Sequence, residues 1–80
     1  MIVQAEVSLY PLGETDLGPR IEGFIKSMED AGLEVEMGRM SSILTGECAV
    51  IFEALSRAYE RDAGQGMSVM TIKVSNACPT

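Results

Sequence analysis

Four polar side chains of different chemistry occupy alternate positions near the start of the chain, Gln4, Glu6, Ser8 and Tyr10. They supply an amide, a carboxylate, a hydroxyl and a phenol. The residues between them are apolar: Val3, Ala5, Val7 and Leu9. A period of two predicts a strand with one buried face over Ile2 to Leu12, closed by Pro11. The polar row is then either the outer face of an ordinary sheet or the floor of a ligand site or subunit contact.

Two members of this row have chemistry suited to a small ligand. Glu6 lies on a strand expected to be central, so its carboxylate needs a partner, either Lys73 from a neighbouring strand or a ligand N–H. Tyr10 offers a flat face for stacking and a hydroxyl group. Glu34 and Glu36, by contrast, fit ordinary solvated strand positions.

Signals for catalysis are weak in this sequence. The chain has no histidine, the commonest general base. Cys48 falls on an apolar stripe, where a core thiol is a better interpretation than a nucleophile, although a small enzyme using Glu6 or Cys48 stays an alternative. No glycine-rich phosphate loop and no Cys-x-x-Cys pair occurs. We therefore expect no enzyme activity, no cofactor and no metal site.

The composition of the chain limits the kinds of partner that the protein could bind. The chain has 80 residues, a net charge of −6, 46% apolar residues and six scattered Lys and Arg residues. This negative charge argues against the binding of nucleic acid. No apolar run reaches the roughly 20 residues that a membrane-spanning helix needs. With no signal-peptide pattern and two cysteines expected to be free, we expect a soluble cytoplasmic protein. A core this small also favours a homodimer or a tetramer.

Hydrophobic periodicity divides the chain into six elements. Two amphipathic helices are predicted, each with apolar residues at three- and four-residue spacing. The first apolar stripe contains Leu17, Ile21, Phe24, Ile25 and Met28, with Arg20 on the solvent side. The second contains Cys48, Ile51, Phe52, Leu55, Ala58 and Tyr59. The three later strands are predicted over Leu33–Arg39, Ser42–Gly46 and Met67–Val74, with Met37, Leu44, Met70, Ile72 and Val74 facing inward.

The order strand, helix, strand, strand, helix, strand predicts a ferredoxin-like βαββαβ sandwich, in the α+β class. Right-handed crossovers then give a four-stranded antiparallel sheet with both helices on one face. We expect residues 1–80 to form one such domain. The other face of the sheet is left to solvent or to another subunit.

Three runs of residues resemble the YkoF-like family of thiamine- and hydroxymethylpyrimidine-binding proteins. They are Ser8-Leu9-Tyr10-Pro11-Leu12, Met40-Ser41-Ser42-Ile43-Leu44-Thr45-Gly46-Glu47 and Ser75-Asn76-Ala77-Cys78-Pro79. Each run alone is a weak indicator of the family. The three runs in this order, joined by two helices, are a fairly specific one. The resemblance implies the same ferredoxin-like fold and non-catalytic binding of thiamine or its precursor in thiamine salvage or transport. The family prototype carries two such domains in one chain, so the resemblance also implies that two copies of this chain pair.

The resemblance implies a ligand site on the open face and the hairpin. An aminopyrimidine is flat and needs an aromatic or apolar slot with a few fixed donors and acceptors. Glu6 is expected to accept from the exocyclic amine, Tyr10 to stack and Met40 to line the wall. The hydroxyl groups expected to bond the ring nitrogens are those of Ser8, Ser41, Ser42 and Thr45. Asn76 and Cys78 of the tail are expected either to close the pocket or to fix the tail.

Thr45 departs from the family pattern, because relatives often carry a longer charged residue there. Its shorter side chain puts the identity of the ligand and the affinity for it in question. The alternative function is a regulatory or assembly module whose open sheet face mediates oligomerisation without a small-molecule ligand.

Overall fold

The structure, a computed structural model, describes residues 1–13 and 16–77. It contains six elements in the predicted order. They are β1 (Ile2–Pro11), α1 (Gly18–Asp30), β2 (Glu34–Met37), β3 (Ser42–Glu47), α2 (Cys48–Ala63) and β4 (Ser68–Ser75). The strands form one antiparallel sheet in the order β2-β3-β1-β4, which confirms the ferredoxin-like fold. Within residues 1–13 and 16–77, neither α1 nor α2 has the length and apolar character of a membrane-spanning helix.

The core lies between the two helices and one face of the sheet. Alternate residues of β1 enter it, and α1 and α2 contribute one apolar stripe each. Its buried members are Val3, Ala5, Val7, Phe24, Ile25, Met28, Leu33, Leu44, Ile51, Ala54, Leu55 and Ala58. Cys48 is free and half-buried against this core, the position expected of a core thiol.

Local sequence explains where α1 begins and ends. Asp16 Oδ1 accepts the backbone N–H of Gly18 at 3.1 Å, and Pro19 follows in the first turn, where its missing N–H has no intrahelical partner. Gly32, just beyond the helix, has φ +85°, a backbone conformation that glycine adopts without strain. The side chains of both Thr15 and Asp16 are of the types that favour a helix start. Thr15 lies outside the described residues, and the N-cap residue, Leu17, makes no side-chain cap hydrogen bond.

The register places the two faces as the alternation predicted. Leu44 pairs with Ala5 and is fully buried, whereas Ile43 and Thr45 pair with Glu6 and Gln4 on the open face. On the other side of β1, Glu6 pairs with Lys73. Gln4 and Glu6 of the polar row are therefore flanked by strands on both sides, whereas Ser8 and Tyr10 have a paired strand only on the β4 side.

Several positions differ from the prediction. Arg20, expected on the solvent side of α1, is buried against Asp62. Phe52 and Tyr59 of the second stripe, and Ile72 of β4, are 50%, 38% and 44% exposed because nothing described here covers the outer side of β4 and α2. Val74 and Met37 are also exposed, since each lies on an edge strand.

Candidate functional site

Glu6 has a partner on each side of β1: Ser41, just before β3, and Lys73 on β4. Its Oε2 accepts a hydrogen bond from Ser41 Oγ at 3.0 Å, and its Oε1 lies 3.9 Å from Lys73 Nζ. The predicted pairing with Lys73 is confirmed. Both side chains are well exposed, so solvent screens the attraction and the ion pair contributes little to stability. The hydrogen bond from Ser41 holds the carboxylate beside the hairpin that precedes β3.

Two other polar residues of β1, Ser8 and Gln4, also form hydrogen bonds toward the hairpin and β3. Ser8 Oγ donates to the backbone carbonyl of Met40 at 3.1 Å. Gln4 Nε2 donates to Thr45 Oγ1 at 3.4 Å. Gln4, Glu6 and Ser8 therefore each make a side-chain hydrogen bond on the β3 side of β1.

The hairpin that these bonds reach connects β2 and β3 through residues 38–41. The backbone N–H of Gly38 donates to the carbonyl of Ser41 at 2.8 Å and closes the turn. A Cβ added at Gly38 would lie 2.8 Å from that same oxygen, closer than side chains approach backbone. Glycine is therefore what permits this turn, and the turn fixes the position of Met40.

The ladder between β1 and β3 ends at the pair Val7–Ser42, while β1 continues to Pro11. Leu12 N–H donates to Met67 O on the β4 side. Because peptide groups alternate between the two sides of a strand, the N–H and C=O of Leu9 point toward the hairpin side, beyond the last ladder pair. This overhang presents a backbone donor and acceptor at a sheet edge.

A cavity of about 370 Å³ lies at this overhang. Its walls are the C-terminal half of β1, the hairpin and the first turns of α1. Five of the predicted site residues line it: Ser8, Tyr10, Met40, Ser41 and Ser42. Tyr10 is 48% exposed, which leaves its ring available to a ligand.

The remaining predicted site residues lie elsewhere. Glu6 is next to the cavity through its bond to Ser41. Thr45 is not among the lining residues and bonds Gln4 further along the sheet. Asn76 is exposed just beyond the end of β4, and Cys78 lies outside the described residues.

Two features of the cavity were not predicted from the sequence: its apolar wall and the positively charged side chain of Arg39. Ile21, Phe24 and Ile25 of α1 form that wall, although their stripe was interpreted only as core. Arg39 lines the cavity from the hairpin. One signal was available: the first strand spans more residues than its β3 partner can pair, so its far end has to overhang.

Solved structures share this fold. A hypothetical protein of Methanocaldococcus jannascii is 25% identical, with a TM-score of 0.89 over 99% of this chain and 84% of its own. A domain of unknown function from Bacillus cereus is 24% identical, with a TM-score of 0.81 over 94% of this chain and 75% of its own. A Thermotoga maritima protein proposed to act in thiamine biosynthesis or salvage is 16% identical, with a TM-score of 0.84 over 94% of this chain and 83% of its own.

No curated protein matches the chain. The family assignment comes instead from a model of the YkoF-related family, which matches residues 2–80. This match includes all three motifs: the one at the end of β1, the one in the hairpin and β3, and the one that begins at Ser75. The chain belongs to the YkoF-related family.

Proposed function

We propose that this protein binds thiamine or its hydroxymethylpyrimidine precursor, without catalysing a reaction, in thiamine salvage or transport. The observation that carries the proposal is the cavity at the β1 overhang, where Ser8, Tyr10, Met40 and Ser41 meet. Membership of the YkoF-related family and the fold shared with the Thermotoga maritima protein support it.

The size of the cavity suits one heterocyclic ring. Small-molecule pockets hold about 300–1,000 Å³, and this cavity of about 370 Å³ lies near the lower limit. It would take an aminopyrimidine ring, while the thiazolium of thiamine would extend toward the opening. A net charge of −6 favours that cationic ring over long range.

The groups around the cavity match an aminopyrimidine. Tyr10 provides a face for stacking, and Ile21 and Phe24 provide an apolar wall. The hydroxyl groups of Ser8 and Ser41 would donate to ring nitrogens in exchange for their present bonds to the Met40 carbonyl and the Glu6 carboxylate. The Leu9 carbonyl can accept from the exocyclic amine. The Glu6 carboxylate has acceptor sites beyond those used by Ser41 and Lys73, so it could also accept from the amine.

We extend the proposal to assembly and location. Two copies, or four, would supply the apolar burial that 80 residues provide only in part. The cysteines and charge fit the reducing cytoplasm. No activity is proposed, because the chain lacks histidine and, within residues 1–13 and 16–77, those lining the cavity include no carboxylate or thiol.

Thermal unfolding with and without ligand tests this function. Thiamine and hydroxymethylpyrimidine would be compared with an unrelated pyrimidine such as uracil. A ligand at about a hundred times its dissociation constant adds about 2.7 kcal/mol to stability. For a domain of this size that is a rise in Tm of roughly 10–20 °C. A rise with the two vitamers and none with uracil is expected.

No rise with either vitamer at millimolar concentration would contradict the proposal. The assembly module without a ligand would then be the better hypothesis. Equal rises with all three compounds would also contradict it, since they would indicate a site that does not distinguish the aminopyrimidine.

A further inference from the structure

One basic residue differs from the others in its bonding. The chain has six Lys and Arg residues against twelve Asp and Glu residues. Five of the six have a partner: Arg20 with Asp62, Lys26 with Asp30, Arg57 with Glu53, Lys73 with Glu6 and Arg61 with Ser27. The sixth, Arg39, is exposed and forms no ion pair or side-chain hydrogen bond within residues 1–13 and 16–77. Its guanidinium is therefore available to an anion from solution.

The hairpin holds Arg39 at the cavity of the β1 overhang, which this residue lines. Gly38 N–H donates to Ser41 O at 2.8 Å and closes the turn that contains Arg39. Ser8 Oγ donates to the carbonyl of the next residue, Met40, at 3.1 Å and ties the turn to β1. The backbone of Arg39 is thus fixed beside the cavity, while its side chain can turn toward a ligand.

The charge beside the cavity is positive. Within the described part of the chain, Arg39 is the only charged residue among those that line the cavity. The nearest carboxylate identified above, that of Glu6, has Lys73 Nζ 3.9 Å away. These two opposite charges offset each other, so the charge of Arg39 remains uncompensated.

The polar groups around Arg39 include several hydrogen-bond donors. Ser42 Oγ lines the cavity and has no hydrogen bond to another described residue. The N–H of Leu9 at the overhang adds a backbone donor, and Ser41 Oγ would donate in exchange for its present bond to Glu6. The oxygens of an ionised phosphate accept from hydroxyl groups, backbone N–H groups and guanidinium groups. The lining of the cavity therefore suits a phosphate better than a cation.

We propose that the cavity binds the phosphate monoester of the hydroxymethylpyrimidine in preference to the other forms of the ligand, with the Arg39 guanidinium bound to the phosphate. This inference rests on the proposed function and names the chemical form of its ligand. It predicts that affinity falls in the order phosphate ester, hydroxymethylpyrimidine, thiamine. Arg39 is the residue that sets this order.

The chemistry of the two larger ligands makes them directly comparable. The phosphate of the ester and the thiazolium of thiamine extend from the same methylene carbon of the pyrimidine, so both would reach the same part of the cavity. The phosphate is the smaller of the two groups, and the cavity of about 370 Å³ is small for a ligand pocket. The phosphate attracts Arg39, whereas the thiazolium repels it.

Two electrostatic effects oppose each other in this proposal. A phosphate monoester carries about −1.5 to −2 charges at pH 7, so the net charge of −6 repels it over long range. At physiological ionic strength the Debye length is about 8 Å, and distant exposed carboxylates are largely screened. The contact of a guanidinium with a phosphate is charge-assisted and often bidentate, which makes it one of the strong hydrogen-bonded pairs. The local contact therefore outweighs the net charge.

Substitutions at Arg39 test the proposal with ligands of opposite charge. Isothermal titration would measure the phosphate ester, hydroxymethylpyrimidine and thiamine with the native chain, Arg39→Ala and Arg39→Glu. Arg57→Ala is the matched control, because it removes the same charge from an exposed residue of α2 that does not line the cavity.

We expect the native chain to bind the ester about 10-fold more tightly than hydroxymethylpyrimidine. R39A should bring these two affinities within about twofold, mainly by weakening the ester. R39E should weaken the ester further and raise the affinity for thiamine about 2- to 5-fold, since the new carboxylate attracts the thiazolium. R57A should keep the native order.

Salt and inorganic phosphate provide two further readouts. The native preference for the ester should shrink as sodium chloride is raised from about 0.05 to about 0.5 M, whereas the ratio in R39A should stay constant. A merely structural role of Arg39 would not produce this difference. Inorganic phosphate at millimolar concentration should not displace the ester, because it lacks the ring that Tyr10 and the apolar wall contact.

Four results would overturn the inference and leave the proposed function intact. They are equal native affinity for the ester and hydroxymethylpyrimidine, a preference for the ester that survives in R39A, an equal loss of that preference in R57A, and displacement of the ester by inorganic phosphate. A native chain that binds none of the three compounds would instead refute the proposed function, and the inference with it.

Discussion

Arg20 and Asp62, 42 positions apart in the sequence, form a buried bidentate ion pair. Arg20 Nε donates to Asp62 Oδ1 at 2.8 Å, and Nη2 donates to Oδ2 at 2.7 Å. Nη2 also donates to the carbonyls of Asp62 and Met67, at 3.1 and 3.4 Å. One guanidinium therefore joins the start of α1, the end of α2 and the approach to β4.

Removal of one partner of this pair should be strongly destabilising. Arg20→Met leaves the Asp62 carboxylate buried without its counter-charge, and such losses amount to about 3–5 kcal/mol. We expect the free energy of unfolding in urea to fall by about 3 kcal/mol. Arg57→Ala, which breaks the exposed pair with Glu53, should change it by less than about 0.5 kcal/mol. Comparable losses in the two variants would contradict this expectation.

The same pair makes stability depend on pH in the acid range. The hydrogen bonds from Arg20 hold the pKa of the Asp62 carboxyl below its usual value. The pair therefore stabilises the fold fully above the unfolded pKa, about 3.9, and its contribution is lost as pH falls through the lower pKa of the folded state. In urea unfolding from pH 6 to pH 2, the native chain should lose its stability advantage over Asp62→Asn below about pH 4. A constant difference between the two proteins over this range would be inconsistent with a lowered pKa.

Alanine substitutions at two glycines should change the stability of the protein in opposite directions. At Gly38 the new Cβ would lie 2.8 Å from the backbone oxygen of Ser41, so the hairpin has to open. Gly38→Ala should lower Tm and weaken vitamer binding, because Met40 and Ser41 line the cavity. At Gly23, inside α1, a Cβ meets nothing within 4 Å, so Gly23→Ala should stabilise by up to about 1 kcal/mol. Calorimetry of both variants tests the pair, and a stabilised G38A would disprove the role of the turn.

Ligand affinity should depend on the residues that line the cavity. Ser8→Ala removes a hydroxyl group and Tyr10→Leu removes a stacking face. Each substitution should raise the dissociation constant of the ligand about 3- to 10-fold. Thr45→Val lies outside the cavity and should change it by less than about twofold, because only the bond to Gln4 is lost. Isothermal titration with hydroxymethylpyrimidine measures all three. Loss of affinity in T45V but not in S8A or Y10L would indicate that the ligand binds near Thr45 on the open face and not in the cavity.

The faces of the sheet were predictable because a strand exposes alternate side chains whatever its neighbours are. The period of two in β1 determined that Glu6, Ser8 and Tyr10 share one face. The pairing of Glu6 with Lys73 followed once the strand order was inferred. The cavity was not predictable in the same way. It depends on where the β1–β3 ladder ends, and α1 contributes Ile21 and Phe24, whose periodicity resembles that of any core residue.

Two amphipathic helices, four strands, their order and the polar face of β1 could all be predicted, because local periodicity needs no knowledge of distant residues. Which residues of each apolar stripe are covered depends instead on how the elements pack. Arg20 is buried because Asp62 reaches it from the other helix, whereas Phe52 and Ile72 stay exposed because the sheet ends at β4. Burial is a property of neighbours in space, and residues distant in sequence supply those neighbours.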